Sequence, residues 1–156
     1  MTVWLARDES AAEPPLPEGM LRNGSFEKAT GRSPAGWERR TYGGQARLRL
    51  ARDGHTGQRC AMISSEAGAD AGWFASARVK PYSRYRLSGW VKTENLKAGS
   101  GRGAQLNLHN IQSVRTEAIT GTNDWTQLDV EFDTGSNSTV ELNCLFGGWG
   151  QSTGSA

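Results

Sequence analysis

The sequence predicts an all-β protein, a two-sheet antiparallel β-sandwich, on three observations. No segment carries apolar residues at helical spacing over ten or more positions. Short runs of alternating apolar and polar residues recur instead, separated by clusters of Gly, Asn, Ser and Asp. The composition agrees: 20 glycines and six tryptophans, with 36% hydrophobic content, suit a loop-rich β-domain. At 156 residues the chain makes one domain, long enough to bury a core without staples.

In chain order, residues 1–19 read as a disordered leader or linker, because Glu13-Pro14-Pro15-Leu16-Pro17-Glu18-Gly19 resists regular structure. Met1–Ala6 lacks the basic start and long apolar stretch of a secretion signal. The folded domain is expected over 20–156. Strands are predicted at 20–27, 45–52, 58–64, 72–80, 85–93, 104–110, 126–133 and 139–146. Pro81 breaks the central stretch, and Asn123-Asp124 and Gly135-Ser136-Asn137 supply turns. Eight strands at this spacing point to two packed sheets.

The alternation is clearest in the second half. Tyr85, Leu87, Gly89 and Val91 share one face, as do Leu106 with Leu108, Leu128 with Val130 and Phe132, and Val140 with Leu142, Cys144 and Phe146. A period of two sends these sets into the core and their neighbours outward. The outward set is Arg86, Ser88, Trp90 and Lys92; Gln105, Asn107 and His109; Gln127, Asp129 and Glu131; Glu141 and Asn143. It offers an aromatic plate, amides, an imidazole and carboxylates on rigid strands.

Charge and cysteine content exclude several classes. Net charge is +2, with seven arginines between Gly31 and Cys60 and five acids without a base between Asp124 and Glu141. A nucleic-acid binder concentrates base on one surface interleaved with aromatics. Here Arg47 and Arg49 alternate with Leu48 and Leu50, the pattern of a strand's solvated face. No run of about 18 apolar residues exists to span a membrane. Cys60 and Cys144 fit neither a metal cluster nor a disulfide framework; they are expected as buried free thiols, or as one disulfide if the protein is exported.

Leu21-Arg22-Asn23-Gly24-Ser25-Phe26-Glu27, then Gly36-Trp37, then Gly54-His55-Thr56-Gly57-Gln58, recur in the order of a known family. Pro81-Tyr82-Ser83-Arg84-Tyr85-Arg86-Leu87-Ser88-Gly89-Trp90-Val91-Lys92 and Trp125-Thr126-Gln127-Leu128 continue it. The sequence from about residue 20 to 150 resembles the carbohydrate-binding modules of families four and nine, which are galactose-binding-like jelly rolls. The resemblance implies a non-catalytic, monomeric module that binds a polysaccharide or glycan. Its setting would be a larger secreted protein, such as a carbohydrate-active enzyme, outside the cell or in the periplasm. It also implies a structural calcium near the first strand, with Glu27 at the family's acidic position, since a hard cation takes oxygen donors. Family members close with a strand bearing an Asp-Asp pair. Gly150–Ala156 matches the loop before it, so domain 20–156 is expected to lack its last strand, to hold an incomplete calcium site and to be less stable than its parent.

Sugars stack their C–H faces on aromatic rings while amides and carboxylates take the hydroxyls. Trp90, Gln105, Asn107, His109, Glu141 and Asn143 build such a surface if their strands share a sheet. Trp90 is equally a packing residue in the family's pattern, and His109 equally a solvated histidine. Trp73 and Trp149, beside glycines, are candidates for the site rim. Trp37 and Trp125 match fold-defining positions, and His55, in a Gly-flanked turn, is expected to bond locally. Enzymatic readings are weaker. Gly150-Gln151-Ser152-Thr153-Gly154 has a G-x-S-x-G form, but no helix follows to present the serine. Asp129 and Glu131, about 7 Å apart along one strand face, suggest a glycosidase pair less than an acidic stripe. A structural or adhesive spacer is the non-binding alternative.

Overall fold

A computed structural model describes residues 16–156, which form ten strands and no helix among the described residues. They are β1 (Ala29–Thr30), β2 (Ser33–Pro34), β3 (Glu38–Gly44), β4 (Arg47–Ala51), β5 (Cys60–Arg78), β6 (Arg84–Lys97), β7 (Gly103–Leu108), β8 (Gly121–Asp133), β9 (Thr139–Gly147) and β10 (Ser152–Ser155). Every pairing is antiparallel.

The strands make two layers joined through β5. In the first, the order is β3-β5-β9-β7, with Arg40 opposite Gly72, Phe74 opposite Asn143, and Asn143 opposite Asn107. In the second, β4 pairs the start of β5, Arg47 with Ser64 to Ala51 with Cys60, and β6 pairs β8. One 19-residue strand serves both layers, where two separate strands, 58–64 and 72–80, are expected from the sequence. Between them Gly68 takes a φ of 109°, and a Cβ on the neighbouring Gly44 would strike its carbonyl, so this corner needs glycine twice.

The predicted inward sets form the core. Leu87, Leu106, Leu108, Leu128, Phe132, Val140, Leu142 and Phe146 are buried in one cluster with Trp37 and Trp73. β6 lies on β7 so closely that a Cβ at Gly89 would come within 3.0 Å of Leu106 Cδ1. Arg47 and Arg49 point to solvent around the buried Leu48.

Several elements differ from expectation. Residues 20–27 are turns, not a strand. Asn23, at a φ of 51°, knots them together: its amide donates to the carbonyls of Lys28 (2.8 Å) and Ala35 (3.0 Å) and accepts from Lys28 N–H (3.0 Å). Trp37 Nε1 caps the same turn by donating to the Arg22 and Asn23 carbonyls, both at 3.2 Å. The Asn23-to-Trp37 motif is thus a side-chain clasp. Asn123-Asp124 lies inside β8, and β3 was not foreseen. Of the expected leader, residues 1–15 lie outside the described residues. Gly19 is tied down, its N–H donating to Arg78 O at 2.7 Å.

The segment 150–156, expected as a loop, contains β10, which lies between β5 and β6: Ser155 faces Ser64 on one side and Glu94 on the other. Ala156 continues the ladder, exchanging two backbone bonds with Ile63 (2.8 and 2.9 Å). From Cys60 to Met62 β5 pairs only with β4, and from Arg84 to Val91 β6 pairs only with β8, among the described residues. A cavity of about 360 Å³ separates these edges, and its lining reaches the core at Ile63, Trp73, Leu106, Cys144 and Phe146.

Candidate functional site

The polar outward set divides into two surfaces on opposite sides of the sandwich. Alternation about the buried Ala71, Trp73 and Ala75 turns Gly72, Phe74 and Ser76 to the outer face of the first sheet. The register then aligns Glu38, Phe74, Asn143 and Asn107 in one row across β3, β5, β9 and β7. The next row is Arg40, Gly72, Leu145 and Gln105. Glu141, opposite Ser76, extends the face, and His109 joins it through its N–H to Glu141 O at 2.6 Å. Gln105, Asn107, His109, Glu141 and Asn143 therefore belong to one surface, as the sequence suggests.

Three side chains that sequence reasoning missed complete it. Tyr42 O–H donates to Asn143 Oδ1 at 3.0 Å, and its ring lies 6.2 Å from His109, nearly parallel. His109 meets Phe74 edge-on at 6.1 Å. The Arg40 guanidinium covers Phe74 at 3.2 Å from the ring centroid, which buries that ring although it lies outside the inter-sheet core. Arg40 and Tyr42 escaped notice because β3 is half exposed and shows no apolar alternation; Trp37 just before it, and the spacing of Glu38, Arg40 and Tyr42, were the available signals. Burial raises the Tyr42 pKa, which keeps its hydroxyl protonated and donating.

Two amide atoms on this face, Gln105 Nε2 and Asn107 Oδ1, are buried without a hydrogen-bond partner among the described residues. Gln105 packs against the β9–β10 turn, where a Cβ on Gly148 would lie 2.5 Å from Nε2. That turn is held by Asp70, whose Oδ1 accepts the Gly148 N–H at 3.2 Å. Burial raises the Asp70 pKa against the opposing backbone N–H groups of 148–150. The turn carries Trp149, 52% exposed, so this rim assignment places an aromatic ring in reach of solvent.

Trp73 and Trp90 do not join the face. Trp73 is fully buried between the sheets, Nε1 donating to Met62 O at 3.3 Å; a position beside glycine marked close packing there, not a rim. Trp90 is on β6, on the far side of the molecule. Its ring is 43% exposed and stacks on His55 at 4.1 Å, while His55 meets Trp125 edge-on at 5.7 Å. His55 is thus a stacking residue, not a local hydrogen-bonding one. Truncating Trp90 to Ala should leave polysaccharide retardation in affinity gels within about twofold of wild type, since it lies remote from the amide face. A larger loss without unfolding would return it to the binding surface.

The remaining candidates resolve locally. Asp129 and Glu131 share Arg86 (3.7 and 2.7 Å), so the acidic pair is a salt-bridge array with its β6 partner. Ser152 is buried in β10, donating to Ala98 O at 2.7 Å, and is no nucleophile elbow. Both cysteines are free thiols; burial pushes Cys144 up to about 12. Glu27 Oε1 accepts the N–H groups of Gln58 and Arg59, both at 2.9 Å, fixing the 54–59 loop. No group of three or more His, Cys, Asp or Glu able to hold a metal occurs among the described residues. No helix of the described residues is long and apolar enough to cross a membrane.

Comparison with known proteins places this face in context. The fold is similar to that of TmCBM61, solved in complex with β-1,4-galactotriose, at a TM-score of 0.53 and 13% identity, covering 85% of this chain and 90% of that one. It is also similar to the CBM22-1 xylan-binding domain of Paenibacillus barcinonensis Xyn10C, at a TM-score of 0.46 and 17% identity, covering 82% and 84%. No curated protein matches the sequence. Residues 18–147 match the family described as carbohydrate binding domain, of the four/nine type. That match spans most of the described jelly-roll sandwich, and the chain belongs to the carbohydrate binding domain family.

Proposed function

We propose that the outer face of the β3-β5-β9-β7 sheet binds a polysaccharide or glycan chain. The observation that carries this reading is the amide row of Asn107 and Asn143 beside Tyr42, Phe74 and His109, with Asn107 Oδ1 and, under the β9–β10 turn, Gln105 Nε2 buried without a hydrogen-bond partner among the described residues. Buried polar groups are nearly always paired, and each one left alone costs about 1–3 kcal/mol. A sugar hydroxyl both donates and accepts, which suits an amide row of this kind, while the sugar's C–H face lies on the exposed ring of Tyr42. The galactotriose complex of the similarly folded TmCBM61 supports the same class. In this reading the module performs no chemistry; it holds a larger secreted protein against its polymer, outside the cell or in the periplasm.

Affinity electrophoresis of the full chain through gels containing galactan, xylan, β-glucan or polygalacturonate tests this. Retardation on at least one polymer, relieved by the matching soluble oligosaccharide, is expected. Mobility unchanged on every polymer would leave the structural or adhesive spacer in its place.

A further inference from the structure

We propose that the Trp149 end of this face is a subsite for an anionic sugar, one that carries a carboxylate or a sulfate ester. The inference rests on the sugar-binding reading and narrows it to a substrate class.

Trp149 is placed, not merely exposed. It holds a φ of 57°, a left-handed conformation that a bulky residue adopts only when its surroundings enforce it. Gly147 and Gly148, at φ 98° and 72°, deliver the chain to it, and Asp70 and Gln105 hold the turn from beneath. Half of the ring nevertheless stays open to solvent.

Two arginines from separate segments converge on that ring. The guanidinium carbons of Arg102, just before β7, and Arg115, which bridges to Asn107, each lie 5.5 Å from its centroid. The two cations are therefore no farther apart than twice that distance. Neither forms an ion pair among the described residues, whereas Arg84, Arg86 and Lys92 on the other sheet all do. Asp70, on β5 beneath the turn, directs its carboxylate at the backbone N–H of Gly148. Glu141 lies at the opposite end of the face, in the row of Ser76. The sheet face is thus polarised, with unneutralised positive charge gathered at Trp149.

A neutral sugar takes guanidinium N–H groups as hydrogen-bond donors but offers nothing to balance two positive charges at one ring. An acidic sugar does: its C–H face rests on the indole while its anionic group takes the planar, paired donors of a guanidinium. A second arginine extends the contact to a neighbouring oxygen and draws in a polyanion over distance.

The test compares the full chain on polygalacturonate and neutral galactan, and on dextran sulfate and neutral dextran, in 0.15 M salt. Binding to at least one acidic polymer about tenfold tighter than to its neutral counterpart is expected, and which pair shows it separates carboxylate from sulfate recognition. R102Q/R115Q should lower the acidic affinity about tenfold, leave any neutral affinity within twofold and leave the thermal midpoint unchanged. R47Q/R49Q, two arginines on exposed positions of β4, should do nothing. Equal binding of acidic and neutral polymers overturns the inference while leaving the sugar-binding reading intact. So does an equal loss in R47Q/R49Q, which would mark mere attraction between a basic protein and a polyanion. Absence of binding to all four polymers and to the wider panel above defeats the underlying reading instead.

Discussion

An amphipathic strand fused after Ala156, in register with β10, should raise the thermal midpoint by roughly 10 °C. Among the described residues, the second layer has room for one. At Ser155 the edges of β5 and β6 are one strand apart, since β10 pairs with both. Past Ala156 those edges continue without an intervening partner among the described residues, around the 360 Å³ cavity. Ala156 packs against the core, so the second and fourth residues after it point inward. Two apolar side chains there gain ~1.5–3 kcal/mol each. Ordering the added residues costs about 1–2 kcal/mol each, which their backbone hydrogen bonds to both edges offset at about 1 kcal/mol apiece, leaving about 3 kcal/mol, which corresponds to that shift in a domain of this size. The same strand with its apolar residues moved by one position should give no gain, because a one-residue slip exposes them. Cys60 and Cys144 both line the cavity, so their alkylation by iodoacetamide should slow in the first fusion only. Equal midpoints and equal alkylation for the two registers would show that the gap does not take a strand.

What the sequence disclosed followed the hydrophobic pattern. Leu87, Leu106, Leu128, Val140 and Leu142 alternate with polar neighbours, and the core formed where period two put it. The same parity put Gln105, Asn107, Glu141 and Asn143 together, because β7 and β9 are direct neighbours. Parity says nothing about which sheet a strand joins. Trp90 and Asn107 both face outward, yet on opposite sides of the sandwich, because that depends on pairing between residues far apart in sequence. Parity also fails where a strand is apolar on both faces. Trp73 and Phe74 are adjacent, so one had to leave the core; the smaller ring did, and Arg40 covers it. The 19-residue β5 read as two strands because its middle, Glu66-Ala67-Gly68, offers no apolar signal while turning the corner between layers. β10 was invisible for a related reason: Ser152-Thr153-Gly154-Ser155 owes its strand to the two edges beside it, not to its own propensity.

Replacing Asn143 with Leu should cost the sugar affinity roughly thirtyfold, a loss of about 2 kcal/mol, within the range for leaving polar partners unpaired. Asn143 is the junction of the face. It sits in β9 between Phe74 and Asn107, and its Oδ1 holds the Tyr42 hydroxyl at 3.0 Å. Leucine keeps the branched shape, with two bulkier methyls in place of the amide, and removes the acceptor. The Tyr42 ring then loses the bond that fixes it near His109, and an incoming hydroxyl loses an amide. The fold should tolerate the change better than the site does, since leucine is at home in a strand next to Leu142 and Leu145. Tyr42→Phe separates the two effects. It deletes the hydroxyl while keeping the ring, so it should retain stacking and lose about fivefold, near 1 kcal/mol for one neutral hydrogen bond. Isothermal titration against whichever oligosaccharide relieves gel retardation, with the thermal midpoint recorded for each variant, reads both. If Asn143→Leu binds as tightly as wild type while Trp90→Ala does not, the ligand lies on the β6–β8 sheet, and the amide row of the first sheet is structural. The two faces share no side chain, so this pair of substitutions decides between them.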